Sequence, residues 1–383
     1  MLQGAKAAVT MLASMAMLCA STIVPAQSGP LMLIEAASGK VLYADDQDDQ
    51  WYPASLTKIM TAYIVFEELK AGRLKPTDMV RVSERAHKEP PSKLGLPVGG
   101  EITVDLAIRV LIVKSANDVA VMLAEKVGGS VEGFAKRMNE TARRLGMTST
   151  HFVNPNGLPD PGQVTSARDL ARLSRAMMTR FPEHRDLWAV KEIAIGKKRL
   201  RSHNGLLKKF EGADGIKTGF ICDSGFNIVA SATRDGRQLI AIILGEPSGK
   251  DRTIRAASLL EHGFSTSPWK LLFGVPTVDS LPRDPAAKPA ASIRKSVTAW
   301  NCNNHKPARR MVRRKGKHKA SPVAKAKPAK SSRASTRSAK AAAARKAPAI
   351  TGSTNKSKTV KKTEKSRSVS KTVPPPRSAE AKQ

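Results

Sequence analysis

Apolar residues come in short continuous runs near residues 31–44 and 226–244, at helical spacing between about 55 and 180, and without periodicity beyond 306. Leu31–Ile34 and Val41–Tyr43 flank Ala37-Ser38-Gly39-Lys40, which predicts a β-hairpin, and an acidic loop, Asp45–Asp49, follows. Ile59, Met60, Tyr63, Ile64, Phe66 and Leu69 predict an amphipathic helix from about Ser55 to Ala71, closed by Gly72. Val104–Val113 and Val119–Val127 predict two buried helices separated by Lys114-Ser115-Ala116-Asn117. Val131–Leu145 predicts another helix, ended by Gly146. Ser166–Arg180 predicts one more, with Ser166 as N-cap and Asp169 three residues on as an acidic capping-box variant. Phe226–Ala232 and Gln238–Leu244 read as strands joined through Asp235-Gly236, a strong hairpin signal, and Arg252–His262 as a last helix ended by Gly263. Strands at both ends with helices between predict one α/β (α+β) domain, its terminal strands meeting in one sheet around a helical insert.

Charge changes this picture at the C-terminus. The formal net charge is +33, and 28 of the 65 Lys+Arg lie after Pro285, against only Glu364 and Glu380 there. That stretch carries about +26 and leaves the body mildly basic at about +7. From Lys306 the chain is Lys, Arg, Ala, Ser and Pro with almost no aromatics, a composition that cannot bury enough apolar surface to offset its ordering entropy. Order is expected to fade past Pro268, giving a 269–305 linker and a disordered 306–383 tail after a 27–268 folded domain. At the other end, Lys6 and the apolar run Ala7–Ala20 read as an export signal, with small residues up to Ala26 marking a cut. An uncleaved anchor is the competing reading of that segment. Export predicts a periplasmic or cell-envelope location. Cys19 leaves with the signal; an exported chain can pair Cys222 with Cys302, but their spacing favours a half-buried Cys222 and a free Cys302 in the tail and leaves the pairing open.

Three motifs carry chemistry. Ser55-Leu56-Thr57-Lys58 opens a helix, so Ser55 and Lys58 share a face and the serine sits near the positive end of the helix dipole. A serine hydroxyl needs such a neighbouring base to become a nucleophile. Alone the motif carries no weight: Ser353-Thr354-Asn355-Lys356 and Ser368-Val369-Ser370-Lys371 repeat it in the tail, and Ser55 by itself reads as a helix cap. Ser115-Ala116-Asn117, between two buried-looking helices, must find hydrogen-bond partners or line a cleft. Lys217-Thr218-Gly219 opens a strand pattern, where a glycine permits close approach of a ligand to a sheet edge. Ser-x-x-Lys, Ser-x-Asn and Lys-Thr-Gly in this order are the signature of penicillin-binding proteins and class A β-lactamases. There is no metal-ligand spacing, no phosphate-binding Gly-rich loop and no heptad array, so no cofactor is implied.

From about Gly29 to Ser265 the sequence resembles the low-molecular-mass penicillin-binding D-Ala-D-Ala carboxypeptidases. The blocks Pro53–Thr61, His151–Leu158, Ser166–Leu170, Asn204–Leu207, Asp214–Gly219 and Ser224–Asn227 carry the likeness with Ser115–Asn117. The resemblance implies a β-lactamase/transpeptidase-like fold, an antiparallel sheet with helices on its faces. It also implies that Ser55 is acylated, that neutral Lys58 takes its proton, and that Ser115 relays a proton to the leaving D-alanine. Asn117 would hold the substrate amide, and Lys217 would act through its charge across the cleft. Thr218, with Arg252, would bind the terminal carboxylate. Gly219 would let the substrate approach, and the backbone N–H groups of Ser55 and Phe220 would form the oxyanion hole. The implied partners are a peptidoglycan pentapeptide and β-lactam antibiotics.

The departures narrow this. Typical members carry a β-rich second domain and an amphipathic C-terminal anchor helix, and neither pattern is expected here. Thr372–Arg377, with three prolines, cannot form an apolar-faced helix. A class A β-lactamase would need a loop glutamate to activate water, and His151–Gly162 offers only Asp160. A D,D-endopeptidase would use the same triad on crosslinked peptides. A binding protein whose basic tail holds nucleic acid fits the charge but not the export signal; anionic lipid headgroups or cell-wall polymers suit the tail better.

Overall fold

A computed structural model describes residues 29–266, 274–299 and 302. The expected signal segment and the 306–383 tail lie outside the described residues. The chain opens with the hairpin β1 (Leu31–Glu35) and β2 (Val41–Asp45), then α1 (Thr57–Lys70), β3 (Met79–Arg81), α2 (Glu84–Lys88) and β4 (Glu101–Thr103). Next come α3 (Val104–Val113), α4 (Asn117–Gly128), α5 (Val131–Arg144), α6 (Ala167–Arg180) and α7 (Arg185–Trp188). The small pair β5 (Glu192–Ile195) and β6 (Lys198–Arg201) precedes β7 (Ala213–Ile221), β8 (Gly225–Arg234), β9 (Arg237–Glu246) and α8 (Gly249–Ser265).

One antiparallel sheet, in the order β2-β1-β9-β8-β7, joins the two ends of the domain, with Leu33 opposite Ala241. The β8–β9 turn is made by Asp235 and Gly236, both at positive φ, the backbone that a two-residue Asp-Gly hairpin adopts. The central strands are apolar at nearly every position because both faces are covered. Leu31, Leu33, Ile228, Ala230, Ala241 and Ile243 pack against Ala256 and Leu260 of α8. Met32, Ile34, Val229, Ile240, Ile242 and Leu244 face the larger helical layer. This alternation on two buried faces explains the unbroken hydrophobic runs of the sequence.

The expected helices are present, with two informative differences. The helix predicted as amphipathic from Ser55 is α1, and it is buried nearly all round, from Thr57 to Phe66. It is a central helix rather than one lying on a surface. Ser55 itself lies in a 3₁₀ turn, Ala54–Leu56, ahead of it, and makes no side-chain cap. The last helix starts at Gly249, capped by Ser248 through Asp251 N, so Arg252 falls in its first turn.

The reading that order fades past Pro268, with 269–305 as a linker, is corrected for the described part of that stretch. Residues 276–298 form a strap held largely by backbone groups. Thr277 bridges to Lys40, Val278 N donates to Gly39 O, Lys288 N donates to the Asp49 carboxylate, and Ile293 N donates to Asp223 O. Its anchor is Arg168, 1% exposed. Arg168 forms a bidentate ion pair with buried Asp48 at 2.6 and 2.8 Å, and donates to the carbonyls of Val278, Leu281 and Pro282. Asp48 also accepts from Asp284 N, so the acidic loop of the sequence is a docking socket.

Cys302 is not a free thiol: it is buried and disulfide-bonded to Cys222, just past β7. Eighty residues separate the two, and such spacing says nothing about pairing until the strap brings them together. In the chain-entropy picture closure of such a loop contributes about 4.5 kcal/mol.

Replacing Arg168 with Ala strands Asp48 in a site without its counter-charge. The expected loss is about 3–5 kcal/mol in urea denaturation, the cost of breaking a buried pair from one side. A loss below about 1 kcal/mol would show that the pair does not anchor the strap.

Candidate active site

The turn before α1 is fixed from several directions. Trp51 bridges Thr165, and its indole N–H donates to Ser224 O at 3.0 Å. Asn227 on β8 donates to Tyr52 O at 2.9 Å and Pro53 O at 3.3 Å, while its Oδ1 accepts from Gly245 N. One amide thus ties the turn to two strands. Two glycines let neighbouring backbone close in. A Cβ on Gly219 would lie 2.9 Å from Pro53 O and 3.1 Å from Ser55 N. On Gly157, at φ +81°, it would lie 1.8 Å from Ala54 O. Ser55 is held between these two approaches.

One turn on, Lys58 is 1% exposed. Its Nζ lies 2.9 Å from Ser55 Oγ, 2.8 Å from Asn117 Oδ1 and 2.5 Å from the carbonyl oxygen of Asn156. Burial, and then the charge of Lys217, hold its pKa well below the ordinary lysine range, with Glu89 and Asp118 pulling weakly the other way.

The Ser115-Ala116-Asn117 segment links α3 to α4, with Ser115 at positive φ. Asn117 N donates to Ser92 O and its Nδ2 to Pro90 O, while Asp118 accepts from Leu94 N and Gly95 N. Facing it from β7, Lys217 is 3% exposed, and its Nζ donates to Ser115 Oγ at 2.9 Å and Thr218 O at 3.0 Å. Burial, with Arg252 adding repulsion, brings Lys217 down to about 7.

Arg252, 7% exposed, stacks its guanidinium over Phe226 and donates to Asn227 O and His203 O, both at 3.3 Å. Its Nε is buried without a hydrogen-bond partner, and burial brings its pKa to about 10. The cleft between these walls has a volume of about 440 Å³ and is lined by Ser55, Ser115, Asn117, Thr218, Gly219, Phe220 and Arg252 among others. All nine residues singled out in the sequence thus meet here: seven line the cleft, and Lys58 and Lys217 sit behind it, each bonded to a lining serine.

Asn156, Gly157, His203, Pro91 and Ser92 also line the cleft and were not singled out as site residues, although Asn156 and Gly157 lie in a block that carried the resemblance. Pro91 and Ser92 had no signal in the sequence, because a loop without periodicity does not show what it folds against. Asp160, the loop carboxylate of the β-lactamase alternative, borders a separate hollow with Tyr52, Ile221 and Asp223, and accepts from Gly162 N.

An antiparallel sheet with helices on both faces, and a cleft-lining serine on a buried lysine that faces a second lysine, define the penicillin-binding-protein class of fold. Solved structures agree. Penicillin binding protein 6B from Escherichia coli matches with a TM-score of 0.60 at 38% identity, over 62% of this chain and 77% of that one. Penicillin binding protein 5 from Haemophilus influenzae matches with a TM-score of 0.60 at 37% identity, over 62% and 71%. Penicillin-Binding Protein D2 from Listeria monocytogenes, determined in an ampicillin-bound form, matches with a TM-score of 0.58 at 29% identity, over 62% and 97%.

Residues 19–248 match the family described as D-alanyl-D-alanine carboxypeptidase, and the chain belongs to that family. Among curated relatives, DacA of Haemophilus influenzae is 38% identical over 239 residues, 61% of each chain. DacC of Escherichia coli is 39% identical over 240 residues, 61% of this chain and 60% of its own. The match thus spans about three-fifths of these relatives' length.

Gly157→Ala should push the Ala54–Ser55 backbone out of place, and such a displacement at a reacting group costs about 100-fold in rate. The measurement is the acylation rate with a fluorescent penicillin, alongside a circular dichroism melt. An unchanged rate would show that Gly157 does not position the turn.

Proposed function

We propose that this protein is a serine-type D-alanyl-D-alanine carboxypeptidase that removes the terminal D-alanine of peptidoglycan pentapeptide through an acyl-enzyme on Ser55, and that it is acylated by penicillins at the same residue. The observation that carries this reading is the environment of Lys58. A neutral amine has two N–H bonds and one lone pair. Asn117 Oδ1 and the Asn156 carbonyl are placed to accept the two hydrogens, which leaves the lone pair for the hydroxyl of Ser55. Burial and the facing Lys217 favour that neutral form.

Ser55 Oγ attacks the carbonyl carbon of the penultimate D-alanine as its proton passes to Lys58. The backbone N–H groups of Ser55 and Phe220 receive the developing oxyanion. The peptide C–N bond then breaks, and the leaving amine takes a proton through Ser115, whose oxygen is held by Lys217. In this reading Asn117 holds the substrate amide and the peptide backbone runs along the β7 edge, where Gly219 makes room for the turn that carries Ser55. The terminal carboxylate lies toward Thr218 and the cation of Arg252, both of which line the cleft. Water completes the cycle by hydrolysing the acyl-enzyme. With a penicillin the retained fragment blocks that water, and Asp160 sits in another hollow, which supports a long-lived adduct over β-lactamase turnover.

An exported location fits the N-terminal apolar run and the Cys222–Cys302 bond, since disulfides persist in oxidising compartments. Among the described residues no helix is long and apolar enough to cross a membrane. The basic 306–383 tail, with 25 Lys+Arg against Glu364 and Glu380, would hold the enzyme to an anionic envelope surface at up to about 1 kcal/mol per basic residue, screened by salt.

Ser55→Ala should abolish D-alanine release from a pentapeptide and the mass increase of the protein after incubation with penicillin, whereas the native enzyme should keep the adduct for many turnover times. Covalent labelling of the alanine variant would overturn the assignment, and rapid steady consumption of penicillin by the native protein would favour a β-lactamase. Removing residues 306–383 should leave the chemistry intact and lower sedimentation with anionic vesicles at low salt. Equal sedimentation of both forms would rule out tethering by the tail.

A further inference from the structure

The acceptor that completes the hydrogen bonding of Lys58 is a loop carbonyl, and something must hold that loop. Asn156 carries it. Its Oδ1 accepts from Leu158 N at 3.1 Å, and its Nδ2 donates to Glu89 Oε2 at 3.0 Å. The same residue thus touches Lys58 through its main chain and Glu89 through its side chain. Glu89 stands where the one-turn helix α2 ends and Pro90 forbids its continuation. It is half-buried, and the arginine one turn before it, Arg85, forms its ion pair with Glu132 at 2.6 Å. The loop that follows grips the opposite wall: Pro90 O and Ser92 O accept from Asn117, and Leu94 N and Gly95 N donate to Asp118. One short segment therefore bonds to residues on both sides of the amine.

We propose that Glu89 is a positioning residue for Lys58: by holding Asn156 it keeps the Asn156 carbonyl on one N–H of the amine, and so keeps the amine's lone pair on Ser55. The inference rests on the reading of Ser55 and Lys58 as nucleophile and base. A surface glutamate with a purely structural task would pair with Arg85 or lie in solvent. Glu89 instead turns inward to an amide whose other end faces the reacting group.

A second consequence is electrostatic. The charged groups facing Lys58 are Lys217 from β7, Asp118 from α4 and Glu89 from this loop. Those facing Glu89 are Arg85, Lys58 and Asp118. Burial raises the carboxyl of Glu89 above its usual range. When ionised it favours the charged form of Lys58, so removing its charge lets Lys58 stay neutral to lower pH. Glutamine keeps an acceptor for Asn156 Nδ2 and loses the charge, while alanine loses both. The two roles are separable.

The test is the second-order rate of acylation by a fluorescent penicillin as a function of pH, on the full chain and on its Glu89→Gln and Glu89→Ala variants, with thermal melts of each. Glu89→Ala is expected to lower the plateau rate about tenfold through the displaced carbonyl. Glu89→Gln is expected to hold the plateau near the native value and to move the acid limb down by about half a pH unit. A native plateau and acid limb in both variants would overturn the proposal. So would equal rate losses in both variants that track a lower melting temperature with an unmoved acid limb. Should the alanine variant fail to fold, the acid limb of Glu89→Gln decides. If the native protein takes up no label, or Ser55→Ala is labelled, it is the underlying reading of Ser55 that fails.

Discussion

The structure is organised around two lysine amines buried on facing walls of one cleft. A lysine carries a strongly hydrated point charge, and taking it out of water is unfavourable unless it finds partners or loses its proton. Here the two effects are coupled. Lys58 and Lys217 are both almost inaccessible; the charge of Lys217 disfavours the proton of Lys58, and Arg252 disfavours that of Lys217. The arrangement is tolerable because both amines meet built acceptors: Asn117 and Asn156 for Lys58, Ser115 and the Thr218 carbonyl for Lys217. A buried amine of this kind demands a central helix sealed nearly all round, and that is what α1 is from Thr57 to Phe66.

Rigid backing follows from the same demand. A hydroxyl–amine contact at 2.9 Å tolerates little drift, so the turn carrying Ser55 is pinned to the sheet by Asn227, to the neighbouring loop by Gly157, and to the β7 edge by Gly219. The strap extends this bracing outward. Arg168 and Asp48 fasten its first half to α6, and Asp223 receives Ser292 and Arg294 near its end. The disulfide then closes it onto the residue after β7, two positions from Phe220 in the cleft wall. A segment after the last helix thus supports the strand that borders the site.

Legibility in the sequence tracked the range of the forces involved. The helices between 104 and 180 and the β8–β9 hairpin were readable because periodicity, caps and an Asp-Gly turn are local signals that burial did not override. Likewise the nucleophile block, Ser115–Asn117 and Lys217–Gly219 could be recognised, since a resemblance to a family condenses a three-dimensional site into short spaced motifs. The strap escaped because it is held by carbonyls, single ion pairs and one disulfide, none of which leaves a hydrophobic period. Its Pro-rich, polar composition reads as linker.

By itself the sequence determined the order of elements, the three motifs and the kind of chemistry a serine and two lysines could perform. Only the tertiary structure decided which acceptors surround Lys58, which cysteine meets Cys222, and that a loop carboxylate at Glu89 reaches the amide behind the base. The physical reason is that hydrophobic patterning fixes which face of an element is buried, whereas charges and hydrogen bonds are settled by atoms brought within about 3 Å from positions 59 to 120 residues apart.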